Sequence, residues 1–361
     1  MSENPRASRI LIVRLSALGD IVHALPMLDA LRRGLPAAHI GWLVEEKAAS
    51  LLVGHPQIDR LWVAPRRQLV KLLRRGRLFA ALRLLVGFAR ELRAADYDLV
   101  IDAHSNARSS VLAWFSGARR RIGFAHGHAK EGAGWLYTDR VVPTRPRQLK
   151  VQRALDLLRP LGIDPRGARA VLGIPEATRA WARTQVQALG GRPVVAIHPG
   201  VSDFGAIKQW DPVRFARTAI RLSRERGARC LVTWGPGERE LAQRVVKASE
   251  DAAVLGPETG SILELAALYQ ACDVVIGVDT GPLHLAAALG VPVVGLYGPK
   301  DPAIYAPWDA RTGVAAAVVS RPVHCSPCNR RTCANGIVIC MPAITVDDVV
   351  AAAQGSISTL P

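Results

Sequence analysis

Residues 9–33 read RILIVRLSALGDIVHALPMLDALRR. The first six, RILIVR (9–14), are a short apolar run rich in β-branched residues, the pattern of a strand covered on both faces. Past the turn LSALGD, the segment IVHALPMLDALRR carries apolar residues three and four apart, which predicts an amphipathic helix. A strand running through a glycine turn into a helix opens a βαβ unit. Working outward, HIGWLV (39–44) and DLVIDA (98–103) repeat the strand pattern with helix-like stretches between them. The rhythm restarts at PVVAIH (193–198) and continues through RCLVTW (229–234), DVVIGV (273–278) and PVVGLY (292–297). Such alternation predicts an α/β protein of two doubly wound, Rossmann-like units. Residues 160–192 are rich in Pro, Gly and Arg, which sets an N-terminal domain at 1–175 and a C-terminal domain at 176–361. Ligands of doubly wound sheets bind beyond the carboxyl ends of the strands, so the active site is expected in a cleft between the two domains.

Composition supports a globular protein: 361 residues, 49% hydrophobic and 21% charged, enough for two cores of ordinary size. No apolar run approaches the ~20 residues of a membrane-spanning helix, and the first residues lack the pattern of a signal peptide. The expectation is a cytoplasmic protein. The formal charge of +17 is unevenly placed: residues 1–180 hold 30 basic and 15 acidic residues, residues 181–361 hold 17 and 15. A basic half attracts anionic partners, whether nucleic acid, acidic lipid headgroups or an acidic sugar. The densest stretch, KLLRRGRLFAALRLLVGFARELR (71–93), reads as one basic amphipathic helix, either a solvated face or a surface that meets an anionic membrane. Nucleic-acid binding ranks far below the other readings, because the chain shows no helix-turn-helix or aromatic-interleaved sheet motif and that reading leaves two strand-end motifs unexplained.

The first of those motifs is LSALGD (15–20). Gly19 permits a tight turn with close ligand approach, and Asp20 sits where strand becomes helix, either as a helix cap or as a carboxylate facing the cleft. The second is DTGPLH (279–284), where Pro282 suits the first helical turn and Gly290 its stop. The free N–H groups of such a helix would hold a phosphate, with Thr280 and Gly281 allowing close approach and His284 one turn in. Asp279 ends the strand beside them. Two further strand ends, His198-Pro199-Gly200 leading to Lys208-Gln209-Trp210 and Trp234-Gly235-Pro236-Gly237-Glu238, offer a point charge for a phosphate at Lys208 and a carboxylate for a ribose diol at Glu238.

Together, ILIVRLSALGDIVHALP, HPG with KQW, WGPGERE and GVDTGPLHLAAALGVPVVGLYGPKDP resemble glycosyltransferase family nine, the bacterial lipopolysaccharide heptosyltransferases. WLVEE (42–46) is most similar to the heptosyltransferase I branch. The resemblance implies a GT-B fold with an acceptor-binding N-terminal and a donor-binding C-terminal domain. It implies ADP-heptose as donor and an acidic Kdo-lipid A or inner-core lipopolysaccharide acceptor at the inner face of the cytoplasmic membrane, reached peripherally. It further implies metal-independent transfer with inversion: Asp20 as base, Lys208 offsetting charge on the leaving diphosphate, and Gly19, His198, Glu238, Asp279, Thr280, Gly281 and His284 around the donor. For the acceptor, Arg66, Arg67 and Arg120 are chosen, the last from the run Arg119 to Arg121. The alternatives are a relative using another nucleotide sugar or glycan acceptor and, more distantly, a basic nucleic-acid-binding protein. The longer HPGVSDFGAIKQW loop and the C-terminal cysteines depart from the simplest heptosyltransferase I pattern.

Those cysteines, Cys325, Cys328, Cys333 and Cys340 in the segment 325–340, follow C-x2-C-x4-C-x6-C. The spacing admits a structural zinc or another thiolate-bound metal, and equally reduced thiols or a disulfide. Cys230 and Cys272 lie in or beside strands and read as buried small hydrophobes.

Overall fold

A computed structural model describes residues 8–201 and 203–358. The chain divides into two compact units, Met1–Gly173 and Ile174–Pro361. The first is built on strands β1 (Arg9–Val13), β2 (His39–Glu45), β3 (Arg60–Ala64), β4 (Leu99–Asp102), β5 (Arg120–Phe124) and β6 (Asp139–Val141). They form one parallel sheet in the order β3-β2-β1-β4-β5-β6. The second unit holds β7 (Val194–His198), β8 (Arg229–Val232), β9 (Ala253–Leu255), β10 (Val274–Val278), β11 (Val293–Leu296), a small antiparallel pair β12 (Trp308–Asp309) and β13 (Val314–Ala315), and β14 (Ala317–Val319). Its parallel sheet runs β14-β11-β10-β7-β8-β9. Read from its own first strand, each sheet has the order 3-2-1-4-5-6, the doubly wound arrangement.

The central strands form because their residues are apolar on both faces. Ile10 to Val13 in β1, Val194 to Ile197 in β7 and Val274 to Val278 in β10 are all buried, as helix-covered parallel sheets require. In the first unit Trp62 donates to the Tyr97 hydroxyl at 2.7 Å and meets Phe88 edge-on at 6.2 Å. In the second, Trp210 packs edge-on against Phe215 at 4.8 Å and donates to the carbonyl of Ile344. Those bonds tie the chain just before the C-terminal helix, Val346–Ser358, whose Val349, Val350 and Ala353 are buried in the same core.

Two predicted helices are broken. The segment after LSALGD is a short helix, Leu18–Val22, followed by a second, Leu25–Gly34. Pro26 lies in the first turn of the second, where its missing N–H costs nothing, so the chain restarts there instead of running through. The basic stretch is also two helices, Arg66–Arg74 and Leu78–Ala94. Gly76 between them stands at φ 68°, a left-handed conformation that glycine adopts freely and that ends a helix.

Candidate active site

The switch point of each sheet, where the strand order reverses, predicts where a ligand can enter. In the first unit it lies between β1 and β4. Asp20 follows β1 within the Leu18–Val22 helix, beside Gly19, and its side chain is 38% exposed. Arg14, at the end of β1, places Nη2 2.8 Å from Asp20 Oδ1, and its Nη1 donates to the carbonyl of Ala103. His23 stands 3.9 Å from the same oxygen. Burial by itself raises the Asp20 pKa, but Arg14, His23 and Lys150 outweigh it and hold the carboxyl well below the usual carboxylate range. Asp20 is therefore ionised throughout the physiological range, an acceptor of hydrogen bonds only.

Beside it, the loop after β4 is fixed by Asp102. This fully buried carboxylate accepts from the N–H groups of His104 and Ser105, each at 2.9 Å, and from the Tyr137 hydroxyl at 2.7 Å. The N–H of Lys130 bonds the Ser105 carbonyl at 2.9 Å, so a second loop is held on the first. Burial, aided by the positive charge of Arg14, pushes His104 down to about 4. Burial likewise pushes Lys150 down to about 8, with Asp20 opposing the shift. His104, Lys130 and Lys150 were missed in sequence. Only His104 carried a signal, since it follows a strand end as Asp20 does.

In the second unit the switch point lies between β7 and β10, and the residues named from sequence gather there. Lys208 places Nζ 2.7 Å from Asp279 Oδ2 and donates to the Asp279 carbonyl at 2.8 Å. His284 Nε2 is 3.1 Å from Oδ1, and the Tyr297 hydroxyl donates to the same oxygen at 3.2 Å. Asp279 is 9% exposed; burial would raise its pKa, but His284 and Lys208 hold it well below the carboxylate range. With its oxygens engaged, Asp279 acts as the post that positions Lys208 and His284. The helix it precedes, Gly281–Ala288, has no side-chain cap, because Thr280 Oγ1 donates to the Val278 carbonyl instead. Its free first-turn N–H groups and positive dipole end are suited to an anion.

Glu238 lies across this end of the sheet. Its Oε2 accepts from the Gly235 N–H at 2.8 Å and stands 3.5 Å from His198 Nε2. Gly200 leaves room for this carboxylate, since a Cβ on it would fall 2.2 Å from Glu238 Oε2 and push the side chain aside. Burial raises the Glu238 pKa. His198 is buried: Nδ1 meets Thr233 Oγ1 at 3.1 Å, and burial pushes the ring down to about 4, so it stays neutral.

The expected acceptor residues separate. Arg66 and Arg67 begin an exposed helix, Arg66 paired with Glu45 at 3.3 Å and the Arg67 N–H bonded to Glu46. Arg120 is tied into the framework: its Nε and Nη2 bond Asp139 on the neighbouring strand, and Nη2 also donates to the carbonyl of Pro160 at 2.8 Å. None of the four C-terminal cysteines is in a disulfide; Cys340 is buried and the other three half-buried. Among the described residues no group of three or more His, Cys, Asp or Glu is placed to hold a metal ion. Cys333 turns to the carbonyl of Ile337 at 3.2 Å.

Two doubly wound units, one with a carboxylate beside Arg14 and Lys150 and the other with an uncapped helix, a lysine and the Glu238 carboxylate, define a GT-B glycosyltransferase. Residues 85–339 match Glycosyltransferase family 9 (heptosyltransferase), and the chain belongs to that family. It is 31% identical over 334 residues to lipopolysaccharide heptosyltransferase 1 of Pseudomonas aeruginosa, covering 90% of this chain and 87% of the relative. The crystal structure of the family 9 glycosyl transferase from Veillonella parvula superposes with a TM-score of 0.80 at 25% identity, covering 98% of both chains. The E. coli heptosyltransferase WaaC with ADP-2-deoxy-2-fluoro heptose gives 0.72 at 25% identity, covering 96% of this chain and 99% of the other.

Proposed function

We propose that this enzyme transfers L-glycero-D-manno-heptose from ADP-heptose to an acidic Kdo-lipid A or inner-core lipopolysaccharide acceptor, inverting the anomeric centre. The observation that carries the reading is Lys208, held by two contacts with Asp279 beside an uncapped helix N-terminus. That arrangement suits a diphosphate, and the similar E. coli enzyme was solved with an ADP-heptose analogue. Glu238 is the acceptor for the ribose hydroxyls. As the bond from the anomeric carbon to the diphosphate lengthens, Lys208 and the N–H groups of Gly281 and Leu283 take up the charge developing on the leaving oxygen. Asp20 accepts the proton of the attacking hydroxyl as the new C–O bond forms on the opposite face, so a single displacement inverts the centre. Lys150 supplies positive charge near that carboxylate and Lys130 adds to it beside Lys150, suited to Kdo carboxylates and phosphates, while Arg66 and Arg67 would extend it and the neutral His104 ring offers hydrogen bonding only.

Charge stabilisation of this kind asks for no metal ion, and activity is expected to survive chelation by EDTA. The lipid-bound acceptor sets the work at the cytoplasmic face of the inner membrane. The test is ADP release and product mass with ADP-heptose, UDP-glucose and Kdo2-lipid A, using the native enzyme and Asp20→Asn. Release from ADP-heptose alone, with ADP binding kept but transfer lost in Asp20→Asn, supports the reading. Transfer from UDP-glucose, or full transfer by Asp20→Asn, overturns it.

A further inference from the structure

Helix Leu78–Ala94, about 25 Å long, carries two apolar faces where a surface helix of a globular protein ordinarily has one. One is used: Ala81 and Leu92 are buried, and Phe88 packs edge-on against Trp62. The other lies open. Phe79 is 91% exposed, Leu78 65% and Leu82 59%, with Leu85 and Val86 also exposed. At 100° per residue these five fall on one side of the helix, and Arg83 and Arg90 flank them. Leu73, exposed on the preceding helix, lies just before the Arg74, Arg75 and Arg77 that lead into this one. Between residues 66 and 93 nine basic side chains face a single acidic one, Glu91.

We infer that this second face is the docking surface for a bilayer of acidic phospholipid, the helix lying in the headgroup plane with Phe79 and Leu82 in the acyl boundary and the arginines on lipid phosphates. Scattered exposed apolar residues need no partner, but a contiguous stripe of this kind does. The charge selects the occupant. A second copy seated on the same stripe would bring nine cations against nine, which opposes a two-fold dimer through this face. An anionic bilayer accepts both the apolar stripe and the cations, the pattern of an interfacial helix. Among the described residues no helix is long and apolar enough to cross a membrane, so the attachment is to its surface. The inference deepens the proposed function and rests on it only for which membrane is met.

The experiment is flotation of the full chain with vesicles of phosphatidylcholine and phosphatidylglycerol, or of phosphatidylcholine alone, all free of glycolipid. Native protein is expected on the acidic vesicles and not on the neutral ones, with release at high salt. Phe79→Ser/Leu82→Ser, and separately Arg74→Glu/Arg75→Glu/Arg77→Glu, are expected to lower partitioning by about tenfold or more. Melting temperature and transfer to a deacylated, soluble acceptor should be unchanged in both. Equal partitioning of native and variant proteins overturns the inference. So does a concentration-dependent dimer abolished by Phe79→Ser/Leu82→Ser, which would assign the stripe to a second copy. Vesicle binding in a protein that fails to transfer heptose supports the docking surface while overturning the functional reading.

Discussion

Replacing Lys208 with Met tests the donor site most directly. Lys208 Nζ has three N–H donors; the Asp279 carboxylate at 2.7 Å and carbonyl at 2.8 Å engage two of them, leaving the third for a phosphate oxygen. A charge-assisted bond of this kind contributes roughly 1.5–3 kcal/mol to ground-state binding. Where charge grows on the leaving group, losing one preorganised donor costs ~10²–10³ in kcat. A stability cost opposes a clean reading, because a buried carboxylate that loses a cation destabilises the fold, by up to about 3 kcal/mol here since His284 and Tyr297 still hold Asp279. Lys208→Met should therefore melt lower yet remain folded at 25 °C. Coupled ADP-release kinetics should show kcat reduced ~100-fold or more, and calorimetry a weaker Kd for ADP. Asp279→Asn combined with Lys208→Met should cost little beyond Lys208→Met alone, because Asp279 acts through the lysine. A folded Lys208→Met enzyme with kcat within about threefold of native, or two fully additive substitutions, would refute the reasoning.

Other outcomes follow from the same geometry. Lys150 titrates near 8, so its positive charge is present below that pH and lost above it; kcat/KM for the acid acceptor should fall as pH rises through 8, and Lys150→Arg should flatten the fall. A pH profile unchanged by that substitution removes Lys150 from acceptor binding. His198 is held neutral with a pKa near 4 against an ordinary value of 6.5, so the unfolded chain binds its proton first. Its contribution is present above pH 6.5 and is lost as pH falls toward 4, roughly 3 kcal/mol in all. Chemical denaturation at pH 7.5 and 4.5 should show a smaller acid loss in His198→Gln than in native protein, and equal losses would sink this account. Gly200→Ala forces Glu238 aside, so ADP binding should weaken about tenfold with little change in kcat; an unchanged Kd would remove Glu238 from the ribose. Burial pushes Cys230 and Cys272 up to about 12 and also raises Cys340. Thiol titration of native protein should thus count three fast groups, Cys325, Cys328 and Cys333, and fewer than three would mean that a metal or disulfide holds them.

What the sequence determined by itself were the features that local chemistry writes into adjacent residues. Central strands buried on both faces must be continuous apolar runs, so RILIVR, PVVAIH and DVVIGV declared themselves, and with them the two doubly wound sheets. Strand ends are marked by turn residues, so the positions of Asp20, Glu238 and the DTGPLH helix at the ends of their strands were legible as well. The strands toward the edges of the first sheet were not. RLWVA, RRIGF and DRV in the first unit are partly exposed, and their mixed residues resemble loops until a neighbour supplies the hydrogen bonds. Roles resting on distance were equally hidden. Only the fold sets Arg120 against Asp139 on the next strand, gathers Lys150 near Asp20 with Lys130 beside Lys150, and buries His198 against Thr233. It likewise decided that one long basic segment becomes two helices and that the second turns an apolar stripe outward. The physical reason is common to all of these. Periodicity and strand-end position are local in the chain, whereas burial and electrostatic coupling depend on spatial neighbours that sequence spacing does not specify.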